Sequence, residues 1–389
     1  MISYGRQDIT QADRDAVIEV LKSDFLTQGP AIPKFEQAVA SACNVKCAVA
    51  YCNATAALHG AYSALGIGSD SLVWTSPITF AATANAARFL GAEVDFVDIN
   101  PQTYNMCIAE LSKKLERAQK QNKLPDLVVP VHLTGQSCDM EPIWQLSKKY
   151  GFSIVEDASH AIGGRYKDEP VGSCRFSDIT VFSFHPVKII TTGEGGIATT
   201  QDRKLEIKLA DFRSHGITRD PDRMQGEPDG SWYYEMLNLG YNYRMTDMQA
   251  ALGASQIRRL DGYVKKRNEI AEIYDKELAG TGIILPHRES WQYSAFHLYV
   301  IGWPDGLGKL GRRQAFESLR EAGIGVNVHY APVHTQPYYR ALGFNDGDFS
   351  AAEAYYDKAI TLPLHPNLSN ADLQKVITTL KLLTSNSSG

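Results

Sequence analysis

Between residues 47 and 200, short apolar runs alternate with amphipathic stretches. The runs cover residues 47–51, 71–74, 93–97, 127–132, 153–155, 179–183 and 196–199. Many are rich in Val and Ile and show little polar alternation. That is the pattern of strands buried on both faces, hence of a mostly parallel sheet flanked by helices. Apolar positions at helical spacing fill the intervals 56–65, 80–90, 108–121 and 141–150. Such alternation predicts α/β layering. Further on, helical patterns at 247–259 and 263–278 lead into candidate strands at 296–301 and 325–328. These alternate with helical patterns at 312–322, 350–359 and 370–381. The expected organisation is a large domain over residues 1–255 and a smaller C-terminal α+β domain over 256–389. The polar stretch 210–243 is rich in Gly, Pro and Asp, and a loop of that length usually serves a site or an interface. The small, polar tail 384–389 is expected to fray.

Composition narrows the function. Hydrophobic residues make up 44% and charged residues 21% of 389, so the chain can build a core and is not disordered. With 39 Lys and Arg against 44 Asp and Glu, the net charge is −5. No broad basic face for nucleic acid or an anionic membrane follows from that balance. No apolar stretch reaches the ~18–20 residues of a membrane span, and the first residues lack the apolar core of a secretory signal. A cytoplasmic location is expected. The six cysteines are scattered, and no Cys or His cluster completes a zinc site, so reduced structural thiols and no metal are expected.

Three segments point to chemistry. In the first, a strand ends in Ser183-Phe184-His185, and Lys188 follows among apolar residues before the turn Gly193-Glu194-Gly195-Gly196. Desolvation lowers the pKa of such a lysine and frees the neutral amine that Schiff-base chemistry needs; a surface lysine on a turn is the plainer alternative. In the second, Asp157 ends the run 152–157, where open α/β sheets bind ligands. A carboxylate there can keep a pyridine nitrogen protonated, or simply cap a helix. In the third, a strand runs through Asn53-Ala54-Thr55-Ala56 into a helix whose N-terminus suits a phosphate, although any capped βα turn looks alike. Together the three make up the requirements of a pyridoxal 5′-phosphate site. Phe80 offers an aromatic face for the ring, or packs in the core.

These motifs, with Gly240-Tyr241-Asn242-Tyr243-Arg244-Met245, resemble the DegT/DnrJ/EryC1/StrS family of sugar aminotransferases over nearly the whole chain. The resemblance implies the fold-type I pyridoxal-phosphate architecture with a seven-stranded, mostly parallel sheet. By it, Lys188 holds the cofactor's aldehyde and Asp157 pairs with the pyridine nitrogen. Thr55 and Ser183 bind the phosphate, with the Ala54 and Ala56 backbone contributing. Asn242 reaches the phosphate from the neighbouring subunit, which implies a homodimer with shared active sites. His160 stands where many members have a Gln that contacts the ring hydroxyl. Segments around Ser159-His160, Arg213-Ser214-His215 and Val328-His329-Tyr330 are similar to the members that aminate UDP-4-keto sugars in pseudaminic acid synthesis. That likeness implies transfer of the amino group of L-glutamate, leaving 2-oxoglutarate, to C4 of UDP-2-acetamido-2,6-dideoxy-β-L-arabino-hex-4-ulose. It places Tyr4, Asp24, Phe25, Leu26, Thr27, His185, Arg213, Asn327, Val328, His329 and Tyr330 around the UDP-sugar. A bacillosamine-type C4 keto sugar or a C3 keto sugar is the alternative substrate. Sugar dehydratases of this family typically have His in place of the lysine. A dehydrogenase would want Gly-x-Gly-x-x-Gly at the first turn, and a hydrolase Gly-x-Ser-x-Gly around Ser183; neither pattern is present.

Overall fold

The computed structural model describes residues 1–385, and the tail beyond Ser385 lies outside the described residues. Helices α1 (Gln11–Leu21) and α2 (Ala31–Ala42) precede the sheet. Neither was read from the sequence, although α2 buries Ile32, Phe35 and Val39 at helical spacing. There follow β1 (Cys47–Tyr51), α3 (Ala54–Ala64), β2 (Leu72–Thr75), α4 (Ala82–Phe89), β3 (Glu93–Phe96), α5 (Ile108–Lys120), β4 (Leu127–Val129), α6 (Met140–Tyr150) and β5 (Ser153–Asp157). Two short strands, β6 (Arg165–Tyr166) and β7 (Glu169–Pro170), lead to β8 (Ile179–Ser183), β9 (Gly196–Thr200) and α7 (Arg203–Arg213).

One seven-stranded sheet has the order β1-β9-β8-β5-β4-β2-β3. Strands β8, β5, β4, β2 and β3 run parallel. Strand β9 is antiparallel to both of its neighbours, β1 and β8. Alternate residues face opposite layers, as the period of two requires. Val155 and Val181 pack with the alanine-rich α3 and α4, whereas Ile154 packs against α5 and α6, and Phe182 against α2.

The polar stretch 210–243 begins inside α7 and then forms a hairpin of β10 (Ile217–Thr218) and β11 (Glu235–Met236). Beyond it lie α8 (Asp247–Gln256), α9 (Leu260–Leu278), β12 (Gln292–Tyr293), β13 (Tyr299–Gly302), α10 (Arg312–Glu321), α11 (Pro337–Arg340), α12 (Ser350–Tyr356), β14 (Ala359–Leu362) and α13 (Asn370–Thr384). A separate core joins α9, α10, α13 and the β13–β14 pair through Tyr274, Trp303, Leu319, Ile360 and Val376. Two expectations are corrected here. The helix read over 350–359 stops at Tyr356, because Ala359–Leu362 pairs antiparallel with β13 and is fully buried. The strand read at 325–328 makes one isolated bridge, Asn327 to Thr361.

Candidate active site

Four chain segments meet at the carboxyl ends of β1, β5 and β8, and the strand directions explain why. Strands β5 and β8 are parallel neighbours, so Asp157 and Ser183 emerge together. Strand β1 ends at Tyr51 and β9 begins at Gly196, and these two residues are paired in register. Helix α3 therefore starts beside the loop that carries Lys188. Asn53 caps α3 by accepting from the Ala56 N–H at 2.8 Å, which leaves the Ala54 and Thr55 amides as the unpaired helix N-terminus. Strand β9 passes so near that a Cβ on Gly196 would lie 2.5 Å from Ala54 N. This contact is the physical reason for the last glycine of the Gly-Glu-Gly-Gly turn.

These elements enclose a cavity of about 620 Å³. Its walls include Thr55, Phe80, Asp157, Ser183, His185 and Lys188 from the sheet side. Tyr4 and residues Asn327 to Tyr330 close it from the other side. Asp157 is buried. Its Oδ2 accepts from Thr83 Oγ1 at 2.6 Å, and its Oδ1 from the Ser159 hydroxyl at 2.6 Å and the Ser159 N–H at 3.1 Å. Burial pushes the Lys188 ammonium down to about 8, with the Asp157 carboxylate opposing. His329 is lowered to about 4 by burial and by Lys188. His160 and His297 are held well below the usual range by burial first and by Lys188 second. Three neutral imidazoles thus stand around one amine. Phe80 is 62% exposed and faces the cavity, so core packing is excluded for it.

Two other sequence expectations change. The Ala56 amide is already taken by the Asn53 cap and the residue does not line the cavity. Arg213 donates to Glu36 at 2.5 Å and to the Ala50 carbonyl at 2.7 Å, which holds it away from the cavity instead of on a sugar. Asp24, Phe25, Leu26, Thr27 and Asn242 are exposed and lie outside their own chain's cavity. His160 lines the cavity beside Asp157 and Lys188, where its Nδ1 accepts from the Thr134 N–H at 3.3 Å and its Nε2 lies 3.1 Å from Tyr330 Oη. Sequence reasoning missed Thr83 and His297. Thr83 is found only through its bond to a residue 74 positions away, and His297 lies in an apolar run that reads as core.

The residues present suit pyridoxal phosphate: two unpaired amides at a helix N-terminus for the anion, a depressed lysine amine for the aldehyde, and a fully hydrogen-bonded carboxylate for the ring nitrogen. The sequence pattern of the DegT/DnrJ/EryC1/StrS aminotransferases matches residues 7–381. The chain belongs to this family. It is 39% identical over 383 residues to the UDP-4-amino-4,6-dideoxy-N-acetyl-beta-L-altrosamine transaminase of Campylobacter jejuni, covering 98% of this chain and 96% of that one. It is 35% identical over 382 residues to the GDP-perosamine synthase of Caulobacter vibrioides, covering 97% of each. Among solved structures, Helicobacter pylori PseC, an aminotransferase of pseudoaminic acid biosynthesis, superposes with a TM-score of 0.90 at 32% identity, covering 98% of this chain and 99% of that one. Members of the family are pyridoxal-phosphate-dependent sugar aminotransferases with the fold-type I architecture, and this chain is one of them. Among the described residues, no helix is long and apolar enough to cross a membrane.

Proposed function

We propose that the enzyme moves the amino group of L-glutamate to C4 of UDP-2-acetamido-2,6-dideoxy-β-L-arabino-hex-4-ulose in the cytoplasm, as a step of pseudaminic acid biosynthesis. The observation that carries the chemistry is that Lys188 and Asp157 line one cavity. The choice of sugar rests on likeness to the Campylobacter transaminase and to PseC. A different nucleotide keto sugar is the second reading, favoured by the comparable likeness to a GDP-perosamine synthase.

In this reading Lys188 holds the cofactor's aldehyde carbon, Asp157 its ring nitrogen, the Ala54 and Thr55 amides with Ser183 its phosphate, and Phe80 its ring face. The bound cofactor supplies a carbonyl that takes up an amino group and a ring that spreads the electron pair left on the reacting carbon. Lys188 Nζ removes the proton from glutamate Cα and later delivers one to sugar C4, acting as base and then acid. Its depressed pKa suits both roles. Tyr4 and residues Asn327 to Tyr330 exclude water and hold the sugar, and His185 sits on the sheet side of the same space.

The active unit is a homodimer. Asn242 and residues 24–27 reach the neighbouring subunit's cavity. Exposed Phe25, Leu26, Trp232, Met236 and Leu239 supply the apolar surface that a partner covers. Residues 1–255 and 256–389 are the two domains whose junction forms the sugar site. The test is to incubate holoenzyme with glutamate and a panel of UDP- and GDP-keto sugars, and to assign the product by NMR. A C4 amine on the L-arabino sugar is expected. Turnover by Lys188→Ala, or amination of only a C3-keto or GDP sugar by the wild type, would sink this reading.

A further inference from the structure

The cavity does not end at Tyr4. A groove of about 320 Å³ adjoins it, lined by Ser3, Tyr4, Arg320, Gly325, Val326 and Asn327. Tyr4 and Asn327 stand in the walls of both spaces. Backbone bonds hold this shared wall. The Ile2 N–H donates to the Gly323 carbonyl at 2.8 Å, the Gly325 N–H to the Ile2 carbonyl at 2.6 Å, and the Leu364 N–H to the Tyr4 carbonyl at 3.0 Å. A Cβ on Gly325 would lie 2.6 Å from the Ile2 carbonyl oxygen, so the glycine is what lets the N-terminal segment lie this close. Arg320 enters the groove from the last turn of α10.

Charge is divided unevenly between the two spaces. The large cavity is lined by two carboxylates, Asp157 and Glu194, and Lys188 is its one Lys or Arg among the described residues. In the function proposed above, that lysine is taken up by the cofactor's aldehyde. Arg320 is the one Lys or Arg of the groove. It is exposed, and among the described residues its guanidinium has no hydrogen-bond or carboxylate partner; it lies 6.0 Å from the centroid of the Phe316 ring. A guanidinium keeps its charge at any working pH and presents a fork that matches phosphate oxygens. Past Ser3 the surface continues into a cleft with Arg6 and Lys375, both exposed and without an ion pair among the described residues. The carboxylate of that cleft, Asp372, accepts from the Ser369 hydroxyl at 2.7 Å.

We propose that Arg320 binds the diphosphate of the nucleotide sugar in this groove. This rests on the nucleotide-keto-sugar reading above. A sugar whose C4 faces Lys188 carries C1, and the diphosphate on it, at the opposite side of the ring. The negative charges must therefore leave the cavity along a wall, and the cavity itself offers them no free cation. The wall of Tyr4 and Asn327 leads to one. Arg6 and Lys375 extend the positive field beyond it and favour the approach of an anion. A basic residue in a last helical turn also faces the negative end of its own helix; that plainer role would show in stability alone and leave nucleotide affinity untouched.

Calorimetric titration of the pyridoxamine-loaded enzyme with UDP, GDP and uridine separates the two roles. Wild type should bind both diphosphates more tightly than the nucleoside. Arg320→Ala should weaken UDP binding about 10-fold, the size of one lost hydrogen bond to a charged group, and leave uridine binding as it was. Arg320→Lys should recover part of the loss, and Arg320→Glu should lose about 100-fold. With the keto sugar as substrate, the Arg320→Ala loss should fall on KM and not on kcat. The rate at which each variant takes the amine from glutamate reports that it is folded. Undiminished UDP affinity in Arg320→Glu, or equal losses for UDP and uridine, would overturn the assignment. The substrate reading fails separately. If wild type aminates only a GDP sugar, the choice of UDP is lost, and weaker GDP binding by Arg320→Ala still supports the diphosphate site. If wild type takes the amine from glutamate yet binds neither UDP nor GDP, the nucleotide reading falls and this site with it.

Discussion

The lysine amine offers a direct measurement. Its ammonium is lowered from the ordinary 10.5 to about 8, chiefly because burial disfavours the charged form, with Asp157 pulling the other way. Near pH 7 that makes the neutral amine roughly 300-fold more abundant than on an ordinary lysine. Cofactor-free protein can be labelled with trinitrobenzenesulfonate across a pH series, and the peptide that carries Lys188 quantified by mass spectrometry. Labelling should be half-maximal near pH 8. Asp157→Asn removes the favourable charge and should shift the midpoint downward. The same group bears on stability. Between about 8 and 10.5 the unfolded chain binds more protons at this position than the folded one, so stability rises with pH there. A labelling midpoint near that of a surface amine, or an upward shift in Asp157→Asn, would refute the argument that burial outweighs the carboxylate.

Other expectations follow from packing. Gly196→Ala forces a methyl against the Asn53–Ala54 backbone. It should cost about 1–3 kcal/mol in stability by denaturant titration and weaken cofactor retention on gel filtration. Thr83→Val leaves Asp157 Oδ2 without its short hydrogen bond; a loss of about 1–3 kcal/mol with reduced cofactor affinity is expected. Asp13→Ala removes a fully buried carboxylate that receives Arg259 at 2.7 Å and Gln256 at 2.9 Å. It should destabilise by about 1–3 kcal/mol, since the buried Gln256 amide loses an acceptor while the partly exposed Arg259 keeps water and Tyr263. Met236→Glu with Leu239→Glu should produce monomers in analytical ultracentrifugation and abolish turnover, because both side chains are more than half exposed on the isolated chain.

The large sheet was legible because its strands are uninterrupted apolar runs: 47–51 and 179–183 were read to the residue. Asp157 was legible because it closes such a run with a charge, and Lys188 because it stands as a lone charge among apolar residues after one. Thr83 and His297 were not, since their meaning lies in a partner brought close only by folding. Arg213 shows the converse. Its motif pointed to the substrate, but the nearest carboxylate in space is Glu36. Only the end of the helix read over 350–359 was wrong, because Ala359 opens an apolar stretch that suits either a buried helix or a strand, and pairing with β13 decides between them. Residues 24–27 and 242 illustrate a different limit. Their exposure on one chain acquires a function only in the proposed dimer.

The β1-β9-β8 order carries a consequence for synthesis. As the edge strand, β1 finds its only sheet partner among the described residues in residues 196–200, so during translation it must wait, unpaired, while the strands from β2 to β8 emerge. Closing such a distant pair is slow and leaves an apolar strand open to wrong partners. The anion cradle at the start of α3 is completed in the same event. With the cofactor roles proposed for Lys188 and the start of α3, the nascent protein captures pyridoxal phosphate only after the β8–β9 hairpin has been made.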